Sequence, residues 1–92
     1  MITKVEFSKR ALKDLKFVPA FILDKLETWV NCVEEQGLEN VRKVPGYHDE
    51  PLHGDRQGQR SIRLNRSYRA IYIIIKAKIA FIRIEEVNKH DY

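Results

Sequence analysis

Four arginines stand close together in the segment GQRSIRLNRSYRAIYIII, residues 58–75, which contains no acidic residue. They are Arg60, Arg63, Arg66 and Arg69. A guanidinium is planar and permanently charged, and its fork of N–H donors matches the oxygens of a phosphate. The second half of the segment is apolar enough to form a buried strand, where an unpaired charge is costly. Arg69, at the start of this strand, therefore needs either an acidic partner or an open cleft that binds an anion.

The C-terminal segment EEVNKHDY offers a second group of reactive side chains directly after the last apolar stretch. It ends with Lys89, His90, Asp91 and Tyr92. These residues supply a cation, a group that exchanges protons near neutral pH, a carboxylate and an aromatic phenol. A frayed polar chain end has the same composition. Position favours a functional role, because the last strand of a small antiparallel sheet returns the chain to the edge where Arg63 and Arg69 emerge.

The positive charge is concentrated in the C-terminal part of the chain. The net charge is +4, but residues 1–52 hold eight basic and nine acidic residues, whereas residues 53–92 hold nine and four. Residues 56–84 include eight basic residues and no acidic ones, namely Arg56, Arg60, Arg63, Arg66, Arg69, Lys76, Lys78 and Arg83. Such a block is typical of a surface that binds phosphates. It is also compatible with a solvated sheet face that pairs with acidic helices.

Length and composition limit the other possibilities. A chain of 92 residues with 43% apolar content predicts one compact domain over residues 1–92. The single cysteine, Cys32, excludes an internal disulfide framework, and YHDEPLH lacks the spacing of a metal site, so we predict no metal and no cofactor. The first ten residues lack the apolar run of a signal peptide, and the longest apolar stretch, residues 70–75, is too short to cross a bilayer. We therefore expect a cytoplasmic protein that does not associate with membranes.

The N-terminal half predicts a strand followed by two helices. Residues 2–7 alternate imperfectly between apolar and polar and predict a short strand. Ser8 is a predicted N-cap for a helix that ends before Pro19. A longer helix is predicted over residues 20–36, with Trp29 in the core and Gly37 as its C-terminal cap. A helical turn is predicted around residues 41–44.

The C-terminal half predicts three strands, over residues 59–64, 68–75 and 79–87, after a long connection punctuated by proline and glycine. This order of elements predicts an α+β domain in which an N-terminal strand and a helical hairpin pack on a mostly antiparallel four-stranded sheet. In the first of these three strands, Ile62 and Leu64 share one face, so Ser61 and Arg63 share the other. The face of the sheet away from the core is therefore expected to be partly polar.

Three features carry a resemblance to a known family: the predicted helical hairpin, the stretch EPLHGDRQGQRSIRLNRSYRAIY and the terminus VNKHDY. The chain resembles the RelE superfamily of bacterial type II toxins, including its HigB-like and YafQ-like branches. The resemblance covers essentially the whole chain. The most specific part is Pro51-Leu52-x-Gly54, then Gly58-x-Arg60-x-x-Arg63, then Tyr68-Arg69. The resemblance implies a ribosome-dependent mRNA interferase, an endoribonuclease that needs no metal and cleaves the codon in the A site of the 70S ribosome. It also implies a cognate antitoxin protein, usually encoded next to the toxin, that holds it inactive.

The resemblance also implies roles for four residues. Arg63 lies where these toxins have a basic or histidine side chain on the second strand, and Arg69 matches the arginine that opens their third strand. His90 matches the basic or histidine side chain after the last strand. Tyr92 resembles the C-terminal aromatic that stacks on the substrate or activates it. These four residues are the predicted catalytic set.

Two positions depart from the pattern of these toxins. Ser61 occupies a position where some RelE-like members have a lysine, and Glu50 occupies one where YafQ-like members have a histidine before Pro-Leu. His53, three residues after Glu50, is a candidate substitute as acid or base. His48 and His53 both lie in a polar loop, where a surface histidine without a catalytic role is the simpler interpretation. The identity of the general base therefore stays open.

The implied chemistry suits these residue types. RNA supplies its own nucleophile, the 2′-hydroxyl, so the protein needs only to orient it, move protons and stabilise the charge that grows on the phosphate. Charge stabilisation is assigned to Arg63 and Arg69, and proton transfer to His90. Five further residues are predicted to bind RNA: Arg56, Arg60, Arg66, Lys89 and Tyr47. Tyr47 is equally consistent with a side chain that closes the end of the sheet.

Other functions remain compatible with the same fold. ParE-like toxins share it and bind DNA gyrase as inhibitors without cleaving RNA, so fold alone does not decide. A third possibility is a toxin-like domain that binds nucleic acid and has lost activity. An acid–base group beside two guanidiniums favours RNA cleavage, because a protein-binding inhibitor has no need of one. In either toxin, we expect the antitoxin to present an acidic, partly disordered segment that folds on the basic surface.

Overall fold

A computed structural model describes residues 1–89 of the chain. Its sheet contains five strands, β1 Val5–Phe7, β2 Glu50–Pro51, β3 Gln59–Arg63, β4 Tyr68–Ile75 and β5 Phe81–Lys89, in the spatial order β1-β5-β4-β3-β2. Neighbouring strands are antiparallel except β1 and β5, which are parallel. The predicted α+β class is confirmed. The sheet has one strand more than predicted, because Glu50 and Pro51 pair with Ser61 and Arg60.

Three α-helices precede the second strand: α1 Lys9–Asp14, α2 Ala20–Gln36 and α3 Leu38–Val41. Ser8 caps α1 as predicted, since its side chain accepts a hydrogen bond from the backbone N–H of Ala11 at 3.0 Å. Instead of continuing to Pro19, the helix tightens into a 3₁₀ turn over Leu15–Phe17. The reason is local, because the residue before a proline is driven into an extended conformation and Val18 adopts one.

Helix α2 has the predicted bounds and ends at Gly37, whose positive φ of 87° is accessible to glycine at little cost. The predicted turn over residues 41–44 lies earlier in the chain, as α3. Among residues 1–89, no helix is both long enough and apolar enough to span a bilayer.

The core lies between the helices and one face of the sheet. Trp29 is fully buried there, as predicted, and its ring lies 5.5 Å from that of Tyr72 on β4. The largest other buried side chains are Ile22, Leu38, Ile62, Ile82 and Ile84. Because side chains alternate along a strand, the neighbours of these core residues on β3, β4 and β5 point to the opposite face.

The face of the sheet away from the helices carries the polar residues, and a β-bulge adjusts its register. Arg69 lies opposite both Arg63 on β3 and Asn88 on β5. The register shifts between Ile71 and Tyr72, so that Glu86 stands opposite Ile71. The bulge therefore brings a carboxylate and an amide of β5 onto the same face as the arginines.

The turn between β3 and β4 is held by a side chain. Asn65 Oδ1 accepts hydrogen bonds from the backbone N–H groups of Ser67 at 2.8 Å and Tyr68 at 2.7 Å. This Asx-type arrangement replaces the Asn-Gly pair that most short hairpins use. It fixes the register that sets Arg63 opposite Arg69.

Candidate functional site

Two guanidiniums face each other at the centre of the site. Arg63 and Arg69 occupy directly opposed positions on β3 and β4, an arrangement that destabilises a sheet when the charges are alike. The side chain of Arg69 is only 18% exposed. The Nε of Arg63 is buried and has no hydrogen-bond partner within residues 1–89. This pair, Arg63 and Arg69, is called the arginine pair below.

The neighbours of the arginine pair neutralise it only weakly. Arg69 Nη1 lies 3.9 Å from Glu50 Oε1 and 3.5 Å from Ser61 Oγ, which is at the outer limit of a hydrogen bond. Arg63 Nη1 lies 3.4 Å from Nε2 of His48. Two partly buried cations with one distant carboxylate between them form a site in which an anion would be stabilised by both.

The tripeptide His48-Asp49-Glu50 supplies these neighbours, and its middle residue is anchored in the core. The Asp49 side chain is 1% exposed; Oδ1 accepts from Arg60 Nε at 2.7 Å and Oδ2 from the Tyr72 hydroxyl at 2.6 Å. The two residues on either side of Asp49 reach the arginine pair, His48 at Arg63 and Glu50 at Arg69. His48 adopts a left-handed backbone conformation with φ of 46°, which is uncommon outside glycine. A buried ion pair thus orients the rim of the site.

Tyr72→Phe is expected to lose less stability than the wild type as the pH rises into the alkaline range. Burial, followed by the hydrogen bond to Asp49, raises the pKa of Tyr72 well above its ordinary value of 10.0. Since the phenol of the unfolded chain ionises near pH 10, the stabilisation by protonated Tyr72 is present below that pH and is lost above it. The wild type should lose up to about 1.4 kcal/mol for each pH unit above roughly pH 10 through this residue.

Urea unfolding between pH 8 and pH 11 measures this difference. Tyr72→Phe should show a shallower alkaline decline than the wild type, whereas Tyr68→Phe, at a half-buried tyrosine, should follow the wild type. Parallel declines in all three proteins would contradict the role given to the Tyr72–Asp49 contact.

A cleft of about 200 Å³ opens beside Arg69 on the same face of the sheet. Besides Arg69, its lining consists of Leu52, Arg56, Ser61, Ile71, Glu86 and Asn88. Glu86 is 9% exposed at its side chain and is held by Arg56 Nη2 at 2.6 Å and by Asn88 Nδ2 at 2.6 Å. Arg10, from α1, lies 3.6 Å from the same carboxylate. The connection from β2 to β3 is therefore tied to β5 across the cleft.

Two of the predicted RNA-binding residues lie on the wrong side of the sheet. Arg60 lies on the helix-facing side of β3 with Ile62, and its guanidinium donates a hydrogen bond to Asp49. Tyr47 is 8% exposed and packs in the core cluster, with Lys25 Nζ 5.2 Å from its ring centre. Tyr47 is thus a core residue, and its burial leaves little of its ring accessible for stacking on a base. Burial also raises the pKa of Tyr47.

The remaining predicted residues are distributed around the site. Arg56 pairs with Glu86 at the cleft, Arg66 is exposed in the turn after β3, and Lys89 ends β5 opposite Tyr68. His53 is exposed and precedes the 3₁₀ turn Gly54–Arg56. The predicted catalytic residues His90 and Tyr92 lie outside the described residues.

Sequence reasoning missed Glu50 and His48 as neighbours of the arginine pair. No periodic pattern in the sequence marks them, because their positions depend on Asp49, which is held by Arg60 and Tyr72 further along the chain. In the part of the chain that the structure describes, no three His, Cys, Asp or Glu side chains are grouped as a metal would require.

Comparison with known proteins identifies the fold. No protein-family model matches the sequence, and no curated protein sequence matches it either. Solved structures do match. YafQ from Escherichia coli is 20% identical with a TM-score of 0.75, covering 95% of this chain and 92% of its own. A YoeB/ParE toxin from Agrobacterium tumefaciens is 19% identical with a TM-score of 0.70, covering 96% and 99%.

A third match is a RelBE toxin–antitoxin complex from Mycobacterium tuberculosis, 21% identical with a TM-score of 0.62 and coverage of 98% and 100%. The chain therefore has the fold of these toxins, and the predicted RelE-like fold is confirmed. The match extends over nearly the full length of each protein, so the similarity concerns the whole fold and not one part of it.

Proposed function

We propose that this protein is the toxin of a type II toxin–antitoxin system and that it cleaves messenger RNA in the A site of the ribosome. The observation that carries the proposal is the arginine pair, two partly buried guanidiniums on an open sheet face with one weakly placed carboxylate. Such a pair is unfavourable unless an anion completes it. The toxin fold and the C-terminal excess of basic residues support a phosphate of RNA as that anion.

The proposed reaction is a transesterification within the RNA. The 2′-oxygen attacks the adjacent phosphorus as its proton passes to a base, and the bond from phosphorus to the 5′-oxygen breaks as that oxygen receives a proton. The products are a 2′,3′-cyclic phosphate and a free 5′-hydroxyl. Negative charge grows on the nonbridging phosphate oxygens in the transition state, where Arg63 and Arg69 stabilise it. The nucleophile belongs to the substrate, so the proposal requires no metal ion.

Glu50 is the described residue best suited to take the proton from the 2′-hydroxyl. Its carboxylate lies 3.9 Å from Arg69 Nη1 and remains 61% exposed, so a substrate bound by the arginine pair can reach it. His48, beside Arg63, is the alternative base. For the proton donor to the leaving oxygen we retain His90, which directly follows the end of β5 in the chain. Tyr92 is assigned to stacking on a base.

Other basic residues hold the RNA without reading its sequence. Arg66 and Lys89 lie at the end of the sheet that carries the arginine pair, and both are exposed. Contacts of this kind bind phosphates and set the position of the strand. Arg60 and Tyr47 have no part in this proposal because of their positions on the core side.

The proposed partners are the ribosome and an antitoxin. An acidic antitoxin segment that folds over the arginine pair would neutralise the like charges that β3 and β4 bring together. The matching RelBE structure is itself a toxin–antitoxin complex, which supports this expectation. Binding of the antitoxin should also become weaker as the salt concentration rises, because salt screens the exposed part of the basic surface.

Induction without the antitoxin should arrest growth by depleting translated messages. Primer extension on cellular transcripts should reveal cuts clustered within reading frames, and the cuts should disappear when initiation is blocked. Co-production of the antitoxin should abolish both effects. Lys76→Ala is the matched control, because Lys76 follows the far end of β4, roughly 23 Å from Arg69 at about 3.3 Å per residue, and this variant should still cut.

The outcomes separate the alternatives. Equal cutting of untranslated RNA would argue against ribosome dependence. DNA damage without RNA cuts would instead support the gyrase inhibitor of ParE type. Growth without any effect on RNA or DNA would indicate a domain that has lost toxin activity.

A further inference from the structure

The cleft beside Arg69 combines apolar surfaces with a polar edge. Ile71, which is 6% exposed, lines the cleft, and so does Leu52 from the connection between β2 and β3. Glu86 and Asn88 provide polar groups on the β5 side. Apolar lining residues, with hydrogen-bonding groups beside them, are what a nucleobase requires from a pocket.

The cleft also lies at a suitable distance from the arginine pair. Ile71 is two residues after Arg69 on β4 and opposes Ser61 on β3, so it is one row further along the same face. Two residues of a strand span about 6.6 Å, which is close to the separation between a phosphate and its own base in a nucleotide. A phosphate bound to the arginine pair can therefore place the base of its own nucleotide over Ile71.

The chemistry of the polar edge is set by Glu86. A buried carboxylate must be compensated, and here Arg56 and Arg10 supply the opposite charge while Asn88 donates a hydrogen bond. An ionised carboxylate has about four acceptor positions and no donor. Asn88 donates to Oε1 and Arg56 to Oε2, and Arg10 Nη1 lies 3.6 Å from Oε2, beyond hydrogen-bond distance. The acceptor positions that remain on the two oxygens can only accept.

We infer that this cleft selects guanine in the nucleotide on one side of the cut; the inference rests on the proposed RNA cleavage. Guanine is the base whose Watson–Crick edge carries two adjacent donors, N1–H and the 2-amino group, which match two acceptors of Glu86. Adenine and cytosine present one donor next to a ring nitrogen acceptor, and that acceptor would face the carboxylate. Glu86 is thus a specificity-determining residue.

Single-turnover cleavage of ribosome-bound messages tests the inference. The messages differ only in the nucleosides that flank the cut, which are guanosine, inosine or adenosine. Inosine differs from guanosine in lacking the 2-amino group. Guanosine should be cut about ten- to a hundredfold faster than adenosine, with inosine between them. Glu86→Gln presents one donor and one acceptor, so it should lose the preference for guanosine and gain one for adenosine.

Arg10→Gln is the matched control, because it removes a cation from Glu86 and leaves the carboxylate in the cleft. It should retain the preference for guanosine. Equal rates for all three bases in the wild type, or an unchanged preference in Glu86→Gln, would overturn the inference while leaving the proposed cleavage intact.

A binding experiment separates the pocket from the cleavage reaction. Titration of the isolated protein with the 3′-monophosphates of guanosine, inosine and adenosine, followed by NMR, should shift the backbone amides of Ser61, Glu86 and Asn88. Guanosine 3′-monophosphate should bind about tenfold more tightly than the adenosine compound. Equal affinities would overturn the guanine pocket, whereas absence of cleavage on every message would count against the proposed function alone.

Discussion

Arg69→Ala is expected to lower single-turnover cleavage of ribosome-bound messages by about 10²–10³, by a similar factor at every pH. The guanidinium stabilises charge that develops on the phosphate and exchanges no proton, so its removal changes the height of the pH–rate profile and not its shape. Measurement of the cleavage rate between pH 5 and pH 9 tests both parts. Arg69→Lys should recover only a fraction of the rate, because an ammonium cannot grip two oxygens at once.

Arg69→Ala should be at least as stable as the wild type. Arg69 opposes Arg63 on the next strand, and removal of one of two like charges relieves their repulsion. Activity and stability therefore move in opposite directions, as is common at functional sites. Lys76→Ala should change neither quantity appreciably. A large drop in the unfolding temperature of Arg69→Ala, matching its loss of activity, would indicate a structural role for Arg69.

Alternation along the strands explains which parts of the site the sequence predicts. Ile62 and Leu64 are core residues, so Arg63 had to face away from the helices, and the position of Arg69 at the start of a buried strand required an anion or a partner. The same rule applied to Arg60 would have placed it beside Ile62, on the core side where it lies. Its prediction as an RNA-binding residue rests on its charge alone and not on the face of the strand that it occupies.

The connection between α3 and β3 was harder to predict because it lacks a repeating pattern. Its main anchor is Asp49, whose burial depends on Arg60 and Tyr72, residues that are distant in sequence. A two-residue strand such as β2 is too short to produce a periodic signal. The bulge in β5, which turns Glu86 towards the cleft, likewise depends on pairing with β4.

Proton transfer should depend on Glu50 in a way that charge stabilisation does not. Glu50→Gln keeps the size of the side chain and removes its ability to accept a proton, so cleavage should fall by about 10²–10⁴. In contrast to Arg69→Ala, this variant should also change the shape of the pH–rate profile, because it removes the group that accepts the proton. His90→Gln should also change the shape of the profile, because it removes the proposed proton donor.

Substrate chemistry provides the control for this assignment. A message with a 2′-deoxy sugar at the cut site lacks the nucleophile, so it should bind normally and resist cleavage by the wild type. The affinity of the 2′-deoxy message, measured by competition with an unmodified message, should be the same for Glu50→Gln and for the wild type. The reason is that Glu50 acts on the 2′-hydroxyl proton and not on phosphate binding. Full activity of Glu50→Gln with an unaltered pH profile would remove Glu50 from the mechanism. The base would then be sought at His48, whose ring lies beside Arg63 at the other side of the arginine pair.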